Sequence, residues 1–186
     1  MSLSAAAGVA RLARFRADGL ASFDASPVGL LNALAPWLAF ALVGSLLALA
    51  SGAVREAALD LLASLVALLA PLVVSQGLAR LWGRGAAWLR YAVAMTWCQW
   101  MMPPALLAAV LGSGVMIALG VPRNAAETLG ALAALLYALA LHGFLARRAL
   151  ALSVWRAAVM VTAVNLGTAV LAFGPLFLAG TWRVGG

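Results

Sequence analysis

The chain has 186 residues, of which 66% are hydrophobic and only 9% charged, and its mean hydropathy is +1.08. So few polar groups cannot cover a water-soluble domain of this length, which leaves lipid as the outer solvent. The net charge of +7 suggests nucleic acid, but every basic residue is an arginine in a short cluster between apolar runs, with no basic face bearing aromatic platforms, so no nucleic acid is expected as a partner.

Residues 1–27 read as a lead distinct from the single membrane domain expected over 28–186. Val9, Leu12 and Phe15, with Leu20 and Phe23 further on, recur at near-helical spacing, and Arg11 and Arg14 fall between them. This pattern predicts a short amphipathic helix lying on an anionic inner leaflet; the alternative is a loosely ordered tail. Ser26-Pro27 then reads as an N-cap followed by proline in the first turn of the next helix.

Five apolar stretches follow, at about 31–50, 58–79, 88–111, 126–145 and 154–178, each long enough to cross a ~30 Å hydrocarbon core at 1.5 Å per residue. ALASGA at 48–53 mimics a signal-peptidase site, but the polar region before the first apolar run is too long for a signal peptide, so an uncleaved first span is expected. The fold class is therefore all-α, an integral membrane bundle of five transmembrane helices with a short amphipathic N-terminal helix. Arg11, Arg14 and Arg16, then Arg80, Arg84 and Arg90, then Arg147, Arg148 and Arg156 fall on one side of the alternating crossings. Only Arg55, Arg123 and Arg183 fall on the other. This bias predicts a cytoplasmic N-terminus, with Arg11, Arg14, Arg80, Arg84, Arg147 and Arg148 as inner-face anchors, and an outer C-terminus. Abundant alanine without lysine fits GC-rich codons, and a bacterial inner membrane is the expected location.

The third span holds MTWCQWMMPP at 95–104. Pro103 has no N–H for the carbonyl four residues back, and Pro104 extends the gap, so Gln99 and Trp100 are expected to carry orphaned carbonyls that need donors within the bilayer. Thr96, Gln99 and the indoles of Trp97 and Trp100 are the nearby donors. The stretch predicts a kink at Pro103 and Pro104 beside an intramembrane polar pocket, with Gln76, Thr96, Gln99, His142 and Asn165 as its candidate residues. Met95, Cys98 and Met102 sit at i, i+3 and i+7 on one helix face, with His142 at similar depth, a donor set suited to Cu(I). Methionine is also a routine filler of apolar gaps, and the lone cysteine a small buried hydrophobe; on that reading no metal or other cofactor is expected. His142 continues the row Gly130, Ala134, Ala138, which suits close helix approach, as does Gly44, Ala48, Gly52 in the first span.

Catalytic patterns are lacking. Ser113 in LGSGV lies toward the outer face and the only histidine toward the inner one, so no Ser–His pair can form. A zinc protease needs two helical histidines. Asp60 and Glu56 at i, i+4 beside Arg55 read as an interfacial cluster. No enzyme is expected. Uncharged intramembrane polar groups such as Asn165, with Thr162 and Thr168 beside it, more often join helices than move ions.

The plan of FRADGLASFDASPVG before five short spans, a proline within LLAPLVVSQGLARLWG, and RYAVAMTWCQW opening the third span resembles the bacterial branch of Yip1-like (Yip1/Yif1-type) membrane proteins. That resemblance implies membrane residence, no catalytic residues, and a role in membrane organisation or assembly. Beyond the lipid bilayer, a protein partner or a homo-oligomer is expected. An accessory subunit of a larger inner-membrane complex, and a small transporter or lipid-handling protein, are the alternatives.

Overall fold

The computed structural model describes residues 3–178, with side chains throughout except at Leu3, Glu56 and 172–178. Arg183 of the outer-side count lies outside the described residues, as does the Glu56 side chain of the expected interfacial cluster. Seven α-helices follow one another, α1 (Leu3–Leu12), α2 (Pro27–Ala50), α3 (Val54–Leu81), α4 (Trp88–Cys98), α5 (Met102–Ala118), α6 (Arg123–Ala149) and α7 (Val154–Leu178), with no strand among the described residues. Helices α2, α3, α6 and α7, together with the broken span α4–α5, are long and apolar enough to make five membrane crossings. The protein is a multi-pass membrane protein.

Local chemistry explains where the helices start and stop. Ser26 caps α2 by accepting from the Gly29 N–H at 3.0 Å, and Pro27 takes a first-turn position. Gly29 must be glycine for a second reason: a Cβ there would stand 2.0 Å from the Asp24 carbonyl oxygen. Gly52, Gly83 and Gly120, all at positive φ, end α2, α3 and α5.

Helix α4 is the centre of the bundle. It packs against α2 on one side and α6 on the other, α3 lies along α2 and α7, and α5 runs along α6. Eight of the eleven residues of α4 are buried, whereas α5, the second half of the same span, buries only Ser113. The break between them swings α5 out of the core. The buried apolar residues accordingly gather at one end of the molecule: Ala33 and Leu34 of α2, Leu72 and Ala79 of α3, Leu145 and Ala149 of α6, Ala157 and Met160 of α7. Toward the other end Leu46, Leu47, Val110 and Leu111 face outward, as lipid-facing side chains do.

The N-terminal lead closes the packed end, and here the structure departs from the expected interfacial helix. Helix α1 starts earlier and stops at Leu12; Phe15 turns the chain at φ +58°, and a 3₁₀ helix over Ala17–Ser22 runs back. Val9, Leu12 and Phe23 are buried in the protein core instead of facing lipid. Two close approaches make the hairpin possible, since a Cβ on Gly8 would meet Ser22 Cβ at 2.6 Å and one on Gly19 the Gly8 carbonyl oxygen at 2.6 Å. Phe15 stands edge-on to Tyr137 and Phe144 of α6, with centroids at 6.0 and 5.5 Å, and the Tyr137 hydroxyl donates to the Ala13 carbonyl at 3.0 Å. An amphipathic pattern cannot by itself distinguish a lipid from a protein apolar surface.

Arginines follow the same polarity. Arg11, Arg14 and Arg16 sit on the N-terminal lead, Arg80, Arg84 and Arg90 around the α3–α4 turn, and Arg147, Arg148 and Arg156 around the α6–α7 turn, all at the packed end. Arg148 lies over Phe144 of its own helix and Arg156 over Trp82, each 6.0 Å from the ring centroid, and the second contact ties the start of α7 to the α3–α4 turn. Arg55 and Arg123 mark the opposite end.

Candidate functional site at the break in the third span

The break is not a gap left by proline. Helix α4 ends at Cys98, Gln99–Met101 form a 3₁₀ turn, and Pro103 and Pro104 fall in the first turn of α5, where proline is tolerated, although the Trp100 carbonyl, with proline both three and four residues ahead, receives no N–H from either position. The expected orphan at Gln99 does not exist, because its carbonyl accepts from the Met102 N–H in the tighter i→i+3 pattern. Nor is the Trp100 indole a donor to a freed carbonyl. Its N–H and that of Trp37 are both enclosed without a partner, the two rings lying 4.8 Å apart at 36°.

Beside the break lies a cavity of about 130 Å³. Met95, Cys98, Gln99 and Met102 form one wall, and α6 supplies the facing wall with His142 among three leucines and Ala138. Asn165 of α7 stands at the lip. The structure thus brings together three of the five expected pocket residues, Gln99, His142 and Asn165, and adds the three sulfur groups that, with His142, were singled out for Cu(I). Thr96 is left out. Two residues before Cys98 on an α-helix it points about 200° away, and its hydroxyl donates to the Ala92 carbonyl at 2.9 Å. Gln76 is left out as well, half-buried on α3, a helix that packs on α2 and α7.

Cys98 is 2% exposed and His142 5%. The imidazole is hydrogen-bonded through Nε2 to the Tyr91 hydroxyl of α4, with the two rings stacked at 6.1 Å. Tyr91, 1% exposed, is the residue that sequence reading passes over; only contact between α4 and α6 reveals it. Asn165 differs from the other polar lining residues in being exposed, and its amide donates to the Val161 carbonyl one turn back at 2.8 Å.

The small-residue rows divide. In α6, Gly130 packs on α5 so tightly that a Cβ would meet Ser113 Oγ at 2.2 Å, and His142 at the end of the row meets α4. In the first-span row, neither Gly44 nor Gly52 has anything within 4 Å of a would-be Cβ among the described residues, so its glycines mark no close helix approach there. Ser113 serves packing, its hydroxyl donating to the carbonyls of Ala109 at 2.9 Å and Ala126 at 3.0 Å.

Chemically the cavity offers two thioethers, a thiol, an imidazole and two carboxamides, with no charged lining residue. Among the described residues no three of His, Cys, Asp and Glu come together as a metal cluster. Comparison of the chain with protein families, with curated proteins and with solved structures returns no match.

Proposed function

We propose that this chain is a non-enzymatic bacterial inner-membrane protein of Yip1-like plan that organises or assembles membrane components by lateral helix association through α7. Asn165 carries the reading. It lies eleven residues into α7, about 17 Å along the helix and so near the middle of a ~30 Å core. There it presents an exposed carboxamide whose hydrogen bond within the chain is the back-bond to Val161. Its remaining N–H and carbonyl capacity is costly in hydrocarbon, and a second transmembrane helix satisfies it. Thr162 and Ala169 beside it are also exposed and small enough for close approach. The N-terminus is cytoplasmic on this reading, because the arginine-rich packed end belongs on the positive side of the membrane.

Native mass spectrometry of the protein held in its own lipid patch tests the proposal. A homodimer, or a complex with a second polypeptide, that dissociates on Asn165→Val is the expected result. A monomer carrying only lipid in both forms overturns it. The cavity favours a second reading, a small transporter or lipid-handling protein, since it unites Gln99, His142 and Asn165. Aqueous thiol-labelling of single cysteines placed at those three positions in a Cys98→Ser background separates the two: labelling at all three supports a water-filled path, and blockage at all three removes it.

A further inference from the structure

We infer that the cavity beside the break is a binding site for a monovalent soft metal ion, Cu(I) or its analogue Ag(I), with Met95, Cys98, Met102 and His142 as ligands. Thioether, thiolate and imidazole donors are the set that selects Cu(I) over the hard cations. On α4 and across the 3₁₀ turn, three sulfur-bearing side chains remain on one wall although the helix changes its winding between Cys98 and Met102. The fourth donor comes from α6, 40 residues beyond Met102, and lines the same half-open cavity.

Charge fixes the ion's valence. The lining has no carboxylate and no arginine, and an uncompensated charge within the bilayer is costly. A Cu(I) ion bound to one thiolate is neutral as a unit. As the Cu–S bond forms, the Cys98 thiol gives its proton to water; copper stays Cu(I), and no electron moves. A divalent ion at the same ligands would leave one positive charge with nothing to offset it, so Zn(II) is excluded from the site's preference.

His142 is held ready for this role. In the tautomer with the proton on Nε2, that N–H donates to the Tyr91 hydroxyl oxygen, which fixes the ring and leaves the Nδ1 lone pair for the metal, the arrangement by which an outer hydrogen bond orients a ligating imidazole. The cavity of about 130 Å³ exceeds the ion, and the unbranched thioethers of Met95 and Met102 have the freedom to close on it. Gln99 and Asn165 add neutral polar groups around the site. The assignment does not depend on whether α7 pairs with another helix.

The test uses the full chain in lipid nanodiscs, titrated with Ag(I), and with Cu(I) kept reduced and competed against a chromophoric Cu(I) chelator. One ion per chain is expected, with sulfur scatterers in the X-ray absorption spectrum and no comparable uptake of Zn(II). The Met95→Leu, Met102→Leu double variant conserves side-chain volume and is expected to melt like the parent while binding about 10-fold more weakly or worse, since even outer partners of a metal site contribute that much. Cys98→Ser should lose binding further. Failure of the parent chain to take up either ion overturns the assignment, as does equal affinity in the double methionine variant, which would remove the thioethers from the ligand set. Tight Zn(II) binding overturns the valence argument.

Discussion

Replacing Tyr91 with phenylalanine isolates the hydrogen bond that fixes the site. The ring and its 6.1 Å stacking on His142 remain, and only the hydroxyl oxygen goes. Both residues are almost wholly enclosed, so bulk water cannot take the oxygen's place at Nε2. In water-soluble proteins a buried group left without its partner costs about 1–3 kcal/mol. Within bilayers the measured coupling of such bonds averages about 0.6 and reaches about 1.7 kcal/mol, because the unfolded helices also find partners. The near-complete burial of this pair places Tyr91→Phe in the upper part of that range, about 1–1.7 kcal/mol, or roughly 5- to 18-fold in the unfolding equilibrium. Reversible unfolding by dodecyl sulfate in mixed micelles measures it, and His142→Leu with the double variant completes a cycle. A loss in Tyr91→Phe below about 0.3 kcal/mol, or strict additivity of the two single changes, would refute the claim that this bond ties α4 to α6.

Gly130→Ala should destabilise by about 1–3 kcal/mol, because its Cβ would stand 2.2 Å from Ser113 Oγ and 3.0 Å from the Ala109 carbonyl oxygen; adding Ser113→Ala should recover part of the loss in the same unfolding assay. Phe15→Ala removes two edge-to-face contacts worth about 0.5–1.5 kcal/mol each, and faster amide exchange confined to residues 3–22 is the expected signature. Gly29→Ala drives a methyl group into the Asp24 carbonyl at 2.0 Å, so the lead should come off the bundle and become open to limited proteolysis near Asp24 while the five spans stay folded.

Much of this molecule can be read from its residues one at a time. The five crossings follow from apolar run length, since a helix must satisfy its own backbone in lipid and needs about 20 residues to do so. The cap at Ser26 and Pro27 follows from local chemistry. At the break, a proline pair announced a discontinuity, but its form was not legible: the chain took a 3₁₀ turn that pairs the Gln99 carbonyl and moved both prolines into the first turn of α5. The amphipathic lead was visible as a pattern, and the pattern could not say that Val9 and Leu12 would meet protein instead of lipid.

Periodicity placed Met95, Cys98 and Met102 on one face, because winding of a single helix is a local property. It could not bring His142 and Asn165 to that face, drop Thr96 and Gln76 from the group, or find Tyr91. Those outcomes depend on which helices touch. The sequence by itself determined the solvent, the spans and the arginine-rich end, all of them sums over residues and their neighbours along the chain. Only the tertiary structure decided that α4 would be the buried centre and α5 an outlying arm, because that choice rests on side chains from distant segments filling the same space.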